Sequence, residues 1–321
     1  MRTEARLPAP RGPLSAAAVD LLRDGITPRV SPEGADPFGE DVAAALHTCY
    51  EPHYQGFAGV EADWEWSPTL LGFRRELEQV FERALRDSVK ADEDVAGAFD
   101  GLLVEPVPGN GVSHFLRDEG ERWHLREYIV HRSIYHHKEA DPHAWVIPRL
   151  WGRAKAALVA VEFDEFGGGH GDRAHAELYR GLMAASGLDT GYLSYFDDVP
   201  APMIAVVNMM SLFGLHRGLR AALVGHFAAA EITTGPSAAR MVKAVERLGG
   251  DPHFFAEHVE ADAVHEQVLR HDVVGDLLDR EPELAADVVF GVRATEFLEA
   301  RFAGHVLASW RAGATSLRSP L

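Results

Sequence analysis

Along most of the chain apolar positions recur every three to four residues, and stretches that alternate apolar and polar at every second position are scarce. The clearest helical segment is 67–90. There Leu70, Phe73, Leu77, Val80, Phe81 and Ala84 share one face, Ser67 can cap the start and Pro68 suits the first turn. The same periodicity predicts helices over 37–55, 118–140, 148–166, 172–186, 201–233, 237–248, 252–272 and 282–310, separated by Asp-Pro, Gly-Gly-Gly, Val-Pro, Gly-Pro and Gly-Gly breaks. The segment PVPGNGVSH (106–114) packs two prolines and two glycines into nine residues and marks the best internal boundary. The expected architecture is all-α. Residues 1–36, interrupted by Pro8, Pro10, Gly12 and Pro13, read as a disordered tail; 37–110 as a small helical N-terminal unit; 111–312 as a bundle of long helices; and 313–321 as a second tail. No repeat or low-complexity block is present.

Composition narrows the possible chemistry. The chain has 321 residues, 46 % apolar and 25 % charged, enough for one substantial core and unlike a disordered or fibrous protein. Its 49 acidic and 31 basic residues give a net charge of -18, which repels nucleic acid and anionic lipid, so neither is expected as a partner. No apolar run has the roughly 18 residues of a membrane span, and the N-terminus lacks the apolar core of a secretory signal, so a cytoplasmic protein is expected. The single cysteine, Cys49, excludes an intrachain disulfide and a thiolate cluster. Any metal must be held by His, Asp and Glu.

Candidate ligands concentrate in EHVEADAVHE, where His258, Asp262 and His265 stand at i, i+4 and i+7 and fall within roughly 60° of one another around a helix. Val259, Ala261, Ala263 and Val264 between them suit burial, although two histidines and an aspartate could also decorate an exposed helix. Glu231 follows Phe227 and three alanines and precedes Gly235-Pro236, which predicts a carboxylate in a last helical turn, where it opposes the helix dipole by about 0.3–1 kcal/mol. Glu139 precedes Asp141-Pro142 in a similar way; its competing reading is a surface pairing with Lys138. In EFDEFGGGHGDRAH the three glycines let Glu165 and His175 face one centre across a break, with Glu162, Asp164 and His170 as competitors that spacing does not exclude.

Glu139, His175, Glu231 and His258-xxx-Asp262-xx-His265 together resemble the ligand pattern of the haem-oxygenase-like diiron oxidases and oxygenases, the iron-containing redox enzymes. The resemblance runs through HRSIYHHKEADPH, IPRLWGRAKAAL, DEFGGGHGDRAHAEL, NMMSLFGLHRGLR, EHVEADAVHEQVL and, in the N-terminal unit, CYEPHYQGF. It implies a haem-oxygenase-like bundle that holds two iron ions, takes O2 as co-substrate and uses no haem. A carboxylate at Glu165, ten residues before His175, is similar to the extra ligand of the N-oxygenating branch, such as the central domain of the streptozotocin-forming N-oxygenase. The implied metal ligands are thus Glu139, Glu165, His175, Glu231, His258, Asp262 and His265. Four carboxylates and three neutral imidazoles carry a formal charge that cancels two Fe(II) ions, and their mixed oxygen and nitrogen donors suit both iron oxidation states. With this choice Glu162→Ala is expected to be nearly silent.

The implied activity is N-oxygenation of an amine or amino-acid-derived nitrogen, with an external electron donor. The alternatives are cleavage of C–C or C–H bonds in an amino acid or fatty acid on the same cofactor, and a non-catalytic iron-binding protein. Arg132, Tyr135, Asn208, Ser211 and Arg217 are candidates for orienting ligands or substrate, with ordinary salt bridging as the competing reading for both arginines. Trp64, Trp66 and Trp145 read as packing residues, and His136, His137 and His143 stay unassigned. The amphipathic helix over 70–85 suggests a homodimer interface.

Overall fold

The computed structural model describes the backbone of residues 5–90, 92–105 and 107–321, and the side chains of these apart from residues 260–263. Among the described residues there is no β-strand. In chain order the α-helices are α1 (Pro13–Asp24), α2 (Glu40–Tyr50), α3 (Pro68–Ser88), α4 (Val95–Leu102), α5 (Val112–Asp118), α6 (Arg122–His136), α7 (Asp141–Ala144), α8 (Gly152–Glu165), α9 (His175–Ala185), α10 (Ala201–Leu215), α11 (Arg220–Arg247), α12 (His253–Gln267), α13 (Gly275–Arg280) and α14 (Ala285–Arg311). Between α12 and α13 the helix widens to π-type over Val268–Val274. No helix of the described residues is long and apolar enough to cross a membrane.

Helix α11 is the centre of the bundle and packs against α14, α12 and α5. Its crossing with α14 needs two glycines: a Cβ on Gly225 would run into the Val288 carbonyl, and one on Gly291 into the Ala222 carbonyl. This mutual absence of side chains lets the two backbones touch. Helix α10, apolar all round, is buried between α2 and α14.

Several expectations are corrected. The region read as a tail contains α1, whose Leu14, Ala18, Leu21 and Leu22 are buried against α2. Pro13 starts this helix rather than breaking it, since a first-turn proline sacrifices no hydrogen bond. The far tail is pinned too: buried Glu127 accepts from the Ser316 amide (2.9 Å), the Ser316 hydroxyl (2.7 Å) and Trp310 Nε1 (2.9 Å). One continuous apolar core runs from Ala5 to Leu317, so residues 37–110 share the core of the bundle rather than forming a unit apart. Leu70, Phe73, Leu77, Phe81 and Leu85 of α3 are buried within the chain, so this apolar face packs into the chain's own core. The 201–233 segment breaks at His216, between α10 and α11, while α11 continues through Gly235-Pro236 to Arg247.

Candidate metal centre

Four connections bring the candidate ligands together. Glu139 lies in the turn after α6, where Ala140 adopts a left-handed conformation (φ 72°) and redirects the chain into α7. Glu165 is the last residue of α8 and His175 the first of α9. Between them Gly167, Gly168 and Gly169 have φ of 79°, 63° and 85°, a run of left-handed conformations open to glycine. Glu231 stands in the interior of α11, not in a last turn, so the dipole argument does not apply to it. His258 and His265 lie two turns apart on α12.

Six of the seven expected ligands form two groups. One donor atom from each of Glu139, His175 and His258 lies within 4.8 Å of the others, and the same holds for Glu165, Glu231 and His265. The seventh, Asp262, has a side chain outside the described residues. Glu165 links the groups: one carboxylate oxygen is 2.8 Å from His175 Nδ1 and the other 3.4 Å from His265 Nδ1. The His175 and His258 rings lie 4.4 Å apart. His258 Nδ1 sits 2.8 Å from the Phe254 carbonyl, a bond that turns Nε2 toward Glu139 Oε1 at 3.8 Å. His265 Nδ1 is 3.2 Å from Glu231 Oε2, and its Nε2 is 3.3 Å from Asp164 Oδ2.

Burial penalises the carboxylates, yet His175 and His265 outweigh it and hold Glu165 down to about 2. Glu139 is held well below the usual range in the same way, with His136 and His258 overcoming burial. Burial drives Glu231 up, with Glu165 adding to it. His265, despite its burial, is pushed up to about 11 by Glu165 and Glu231, and His175 is raised by Glu165. Glu165 and Glu231 thus favour the protonated form of His265, and Glu165 that of His175. Divalent ions would take the place of these protons.

The donor set fits iron. Two adjacent triads of carboxylate oxygen and imidazole nitrogen exceed one tetrahedral zinc and match first-row ions with higher coordination numbers. Buried oxygens also lack partners: Glu139 Oε2 and both oxygens of Glu162 make no hydrogen bond among the described residues. Of the competitors to Glu165, His170 is exposed and Asp164 has 59 % of its side chain exposed. Glu162 is different. It is 3 % exposed, and burial, helped by Glu165, pushes its carboxyl up to about 9.

The candidate orienting residues divide. Arg132 makes a two-point bond with Glu299 (2.8 and 2.6 Å) on the wall of a cavity, and Tyr135 lines the same wall. Asn208 donates to the Ala43 carbonyl (2.9 Å) and Ser211 bonds Tyr54 (2.9 Å), so both fasten α10 to the N-terminal segment; Arg217 is exposed. Trp66 is 67 % exposed and so does not pack in the core. His136, left unassigned, bonds Glu139 Oε1 through Nδ1 at 2.8 Å, and its spacing of three residues from Glu139 was the available signal. His143 stacks on Phe227 at 3.9 Å, and burial pushes it down to about 4.

Two cavities reach the centre. One, of about 330 Å³, touches Glu139 and His258 and is walled by Tyr135, Phe254, Met241 and Arg132. The other, of about 680 Å³, touches Glu139 and Glu165 and is closed on one side by His53, Tyr54 and Gln55.

An all-helical bundle with two buried carboxylate–imidazole groups belongs among the metal-using helical proteins. A family model described as iron-containing redox enzyme, in the haem-oxygenase-like superfamily, matches residues 126–300, a span that contains all seven expected ligands. The chain belongs to this family of iron-containing redox enzymes, which makes it an oxidoreductase. A search of curated proteins finds no match.

Proposed function

We propose that the chain is a non-haem diiron oxygenase that adds oxygen to the nitrogen of a small amine or amino acid. The observation that carries this reading is Glu165, whose two oxygens face a histidine of each triad. Glu139, His175 and His258 would hold one iron, and Glu165, Glu231 and His265 the other, with Asp262 added from the resemblance. When bound, the iron pair supplies two-electron activation of O2. Converting an amine to a hydroxylamine with one O2 forms one N–O bond and one water, and consumes two electrons and two protons, so an external donor is required.

The residues around the pair prepare the reaction. The 330 Å³ cavity suits a substrate of amino-acid size. Its walls mix aromatic and aliphatic side chains with polar ones, and Arg132, held by Glu299, stands among them. His136 holds Glu139 by Oε1 and leaves Oε2 without a hydrogen-bond partner among the described residues.

The test is anaerobic Fe(II) titration, then O2 with candidate amines and mass analysis of products. Two irons per chain and a product that gains one oxygen on nitrogen are expected. One iron per chain rejects the dinuclear reading. Loss of a carbon fragment selects the bond-cleaving alternative, and iron oxidation without organic turnover selects a binding protein.

A further inference from the structure

We infer that Glu162 is a further metal ligand, serving the ion held by Glu165, Glu231 and His265. The inference rests on the two-ion reading above. Glu162 lies three residues before Glu165 on α8, so both side chains leave the same face of the helix. It is 3 % exposed, and neither of its oxygens has a hydrogen-bond partner among the described residues. Burying a carboxyl group in this way costs free energy that folding does not recover, and such groups are rare unless something absent from the bare chain completes them.

What completes Glu162 follows from its neighbours. The charges that act on it most strongly are those of Glu165, Asp141, Glu231 and His265, which include every member of the second triad and none of the first. A cation at that triad would satisfy these groups together, with the Glu162 side chain closing onto the ion from outside the 4.8 Å cluster that the three donors already form. The second triad also needs the oxygen more. One of its donors, Glu165, is shared with His175, whereas an iron ion favours more ligands than a single triad provides. Asp164 is not the donor: it approaches His265 from an exposed position and bonds the imidazole instead. The expectation that Glu162→Ala is silent therefore loses its basis, because that expectation treated Glu162 as an uninvolved neighbour.

The experiment is anaerobic Fe(II) titration by calorimetry on the full chain, wild type against Glu162→Gln and Glu162→Leu, with melting temperatures of the metal-free and loaded proteins. Wild type should bind two ions. Glu162→Gln should keep one position at wild-type affinity and weaken the other by roughly tenfold or more, the scale seen when groups around a metal are removed. Metal-free Glu162→Leu should melt no lower than wild type, because an orphaned carboxyl has gone, while its gain in melting temperature on iron loading should shrink. Replacing iron with Co(II) should show an altered visible spectrum in Glu162→Gln at the weakened position only. Two wild-type affinities in Glu162→Gln overturn the assignment. So does a metal-free Glu162→Gln that melts well below wild type and weakens both positions equally, which would make Glu162 structural. If wild type itself binds fewer than two ions, the two-ion reading fails before Glu162 is tested.

Discussion

The two triads are built from the same residue types but differ in surroundings. Glu139, His175 and His258 come from a turn, a helix start and a helix face, and both cavities touch Glu139. Their orientation is set without metal, by His136 on Glu139 and by the Phe254 carbonyl on His258. Glu165, Glu231 and His265 are all buried, and neither cavity touches Glu231 or His265. This second group balances its charge by a proton on His265 and leaves Glu162 unsatisfied. On the two-ion reading the difference suggests a division of labour: the first position would be pre-arranged and open to both cavities through Glu139, whereas the second, which meets a cavity only at Glu165, would depend more on its ion for electrostatic balance.

The largest expected effect comes from the residue that the two groups share. Glu165→Ala should weaken both iron positions, by about 100-fold or more at each, since it removes a group at contact distance from both triads. Fe(II) titration with O2 uptake reads this; weakening of one position alone would show that Glu165 belongs to one triad. Next come His258→Ala and His265→Ala, each expected to cost about 10–100-fold at one position and little at the other. Equal losses at both positions in either variant would dissolve the comparison.

A smaller effect concerns pH in the metal-free chain. His265 and Glu162 have folded values raised to about 11 and about 9, so between their unfolded values and these the folded state binds more protons than the unfolded one. Stability should therefore fall as pH rises from 7 to 9 in calorimetric melts of the metal-free protein. Iron competes with these protons, so the melting gap between loaded and metal-free protein should widen over the same range. A gap that narrows would contradict the assignment of these protons to the second triad. Smallest of all is Asp164→Asn. An exposed partner of this kind contributes less than about 1 kcal/mol, so iron affinity should stay within roughly fivefold of wild type in the same titration.

Helical periodicity carried most of the fold, and its failures have local causes. The apolar spacing of Leu14, Ala18, Leu21 and Leu22 was present in the sequence, but the surrounding prolines obscured it. Pro236 is tolerated inside α11 because Phe227, Ile232, Ala238 and Met241 on both sides of it are buried, and packing overrides a propensity penalty. The widening after His265 left no mark in the apolar pattern. At the centre, spacing aligned His258 with His265 and local breaks in the chain nominated Glu139, Glu165, His175 and Glu231, while the resemblance chose among the competing readings. Glu162 and Glu165 could not be separated by sequence, because residues three apart share a face and both are buried. Lys138 was weighed as a surface partner of Glu139, but it is buried and pairs at 3.0 Å with Glu51, which lies too far away in sequence to be suspected.

That Lys138–Glu51 pair limits how the protein could be divided. The ammonium is 1 % exposed and the carboxylate fully enclosed, and removing one partner of such a pair costs about 3–5 kcal/mol. Lys138 is bonded in sequence to Glu139, so the charge that anchors this candidate ligand's neighbour is neutralised from the segment after α2. Cutting the chain near residue 110 would strand a buried cation one residue from the centre. Lys138 and Glu51 therefore form one unit across the chain: changing either alone should destabilise the bundle, whereas exchanging both for apolar residues that fit should cost far less.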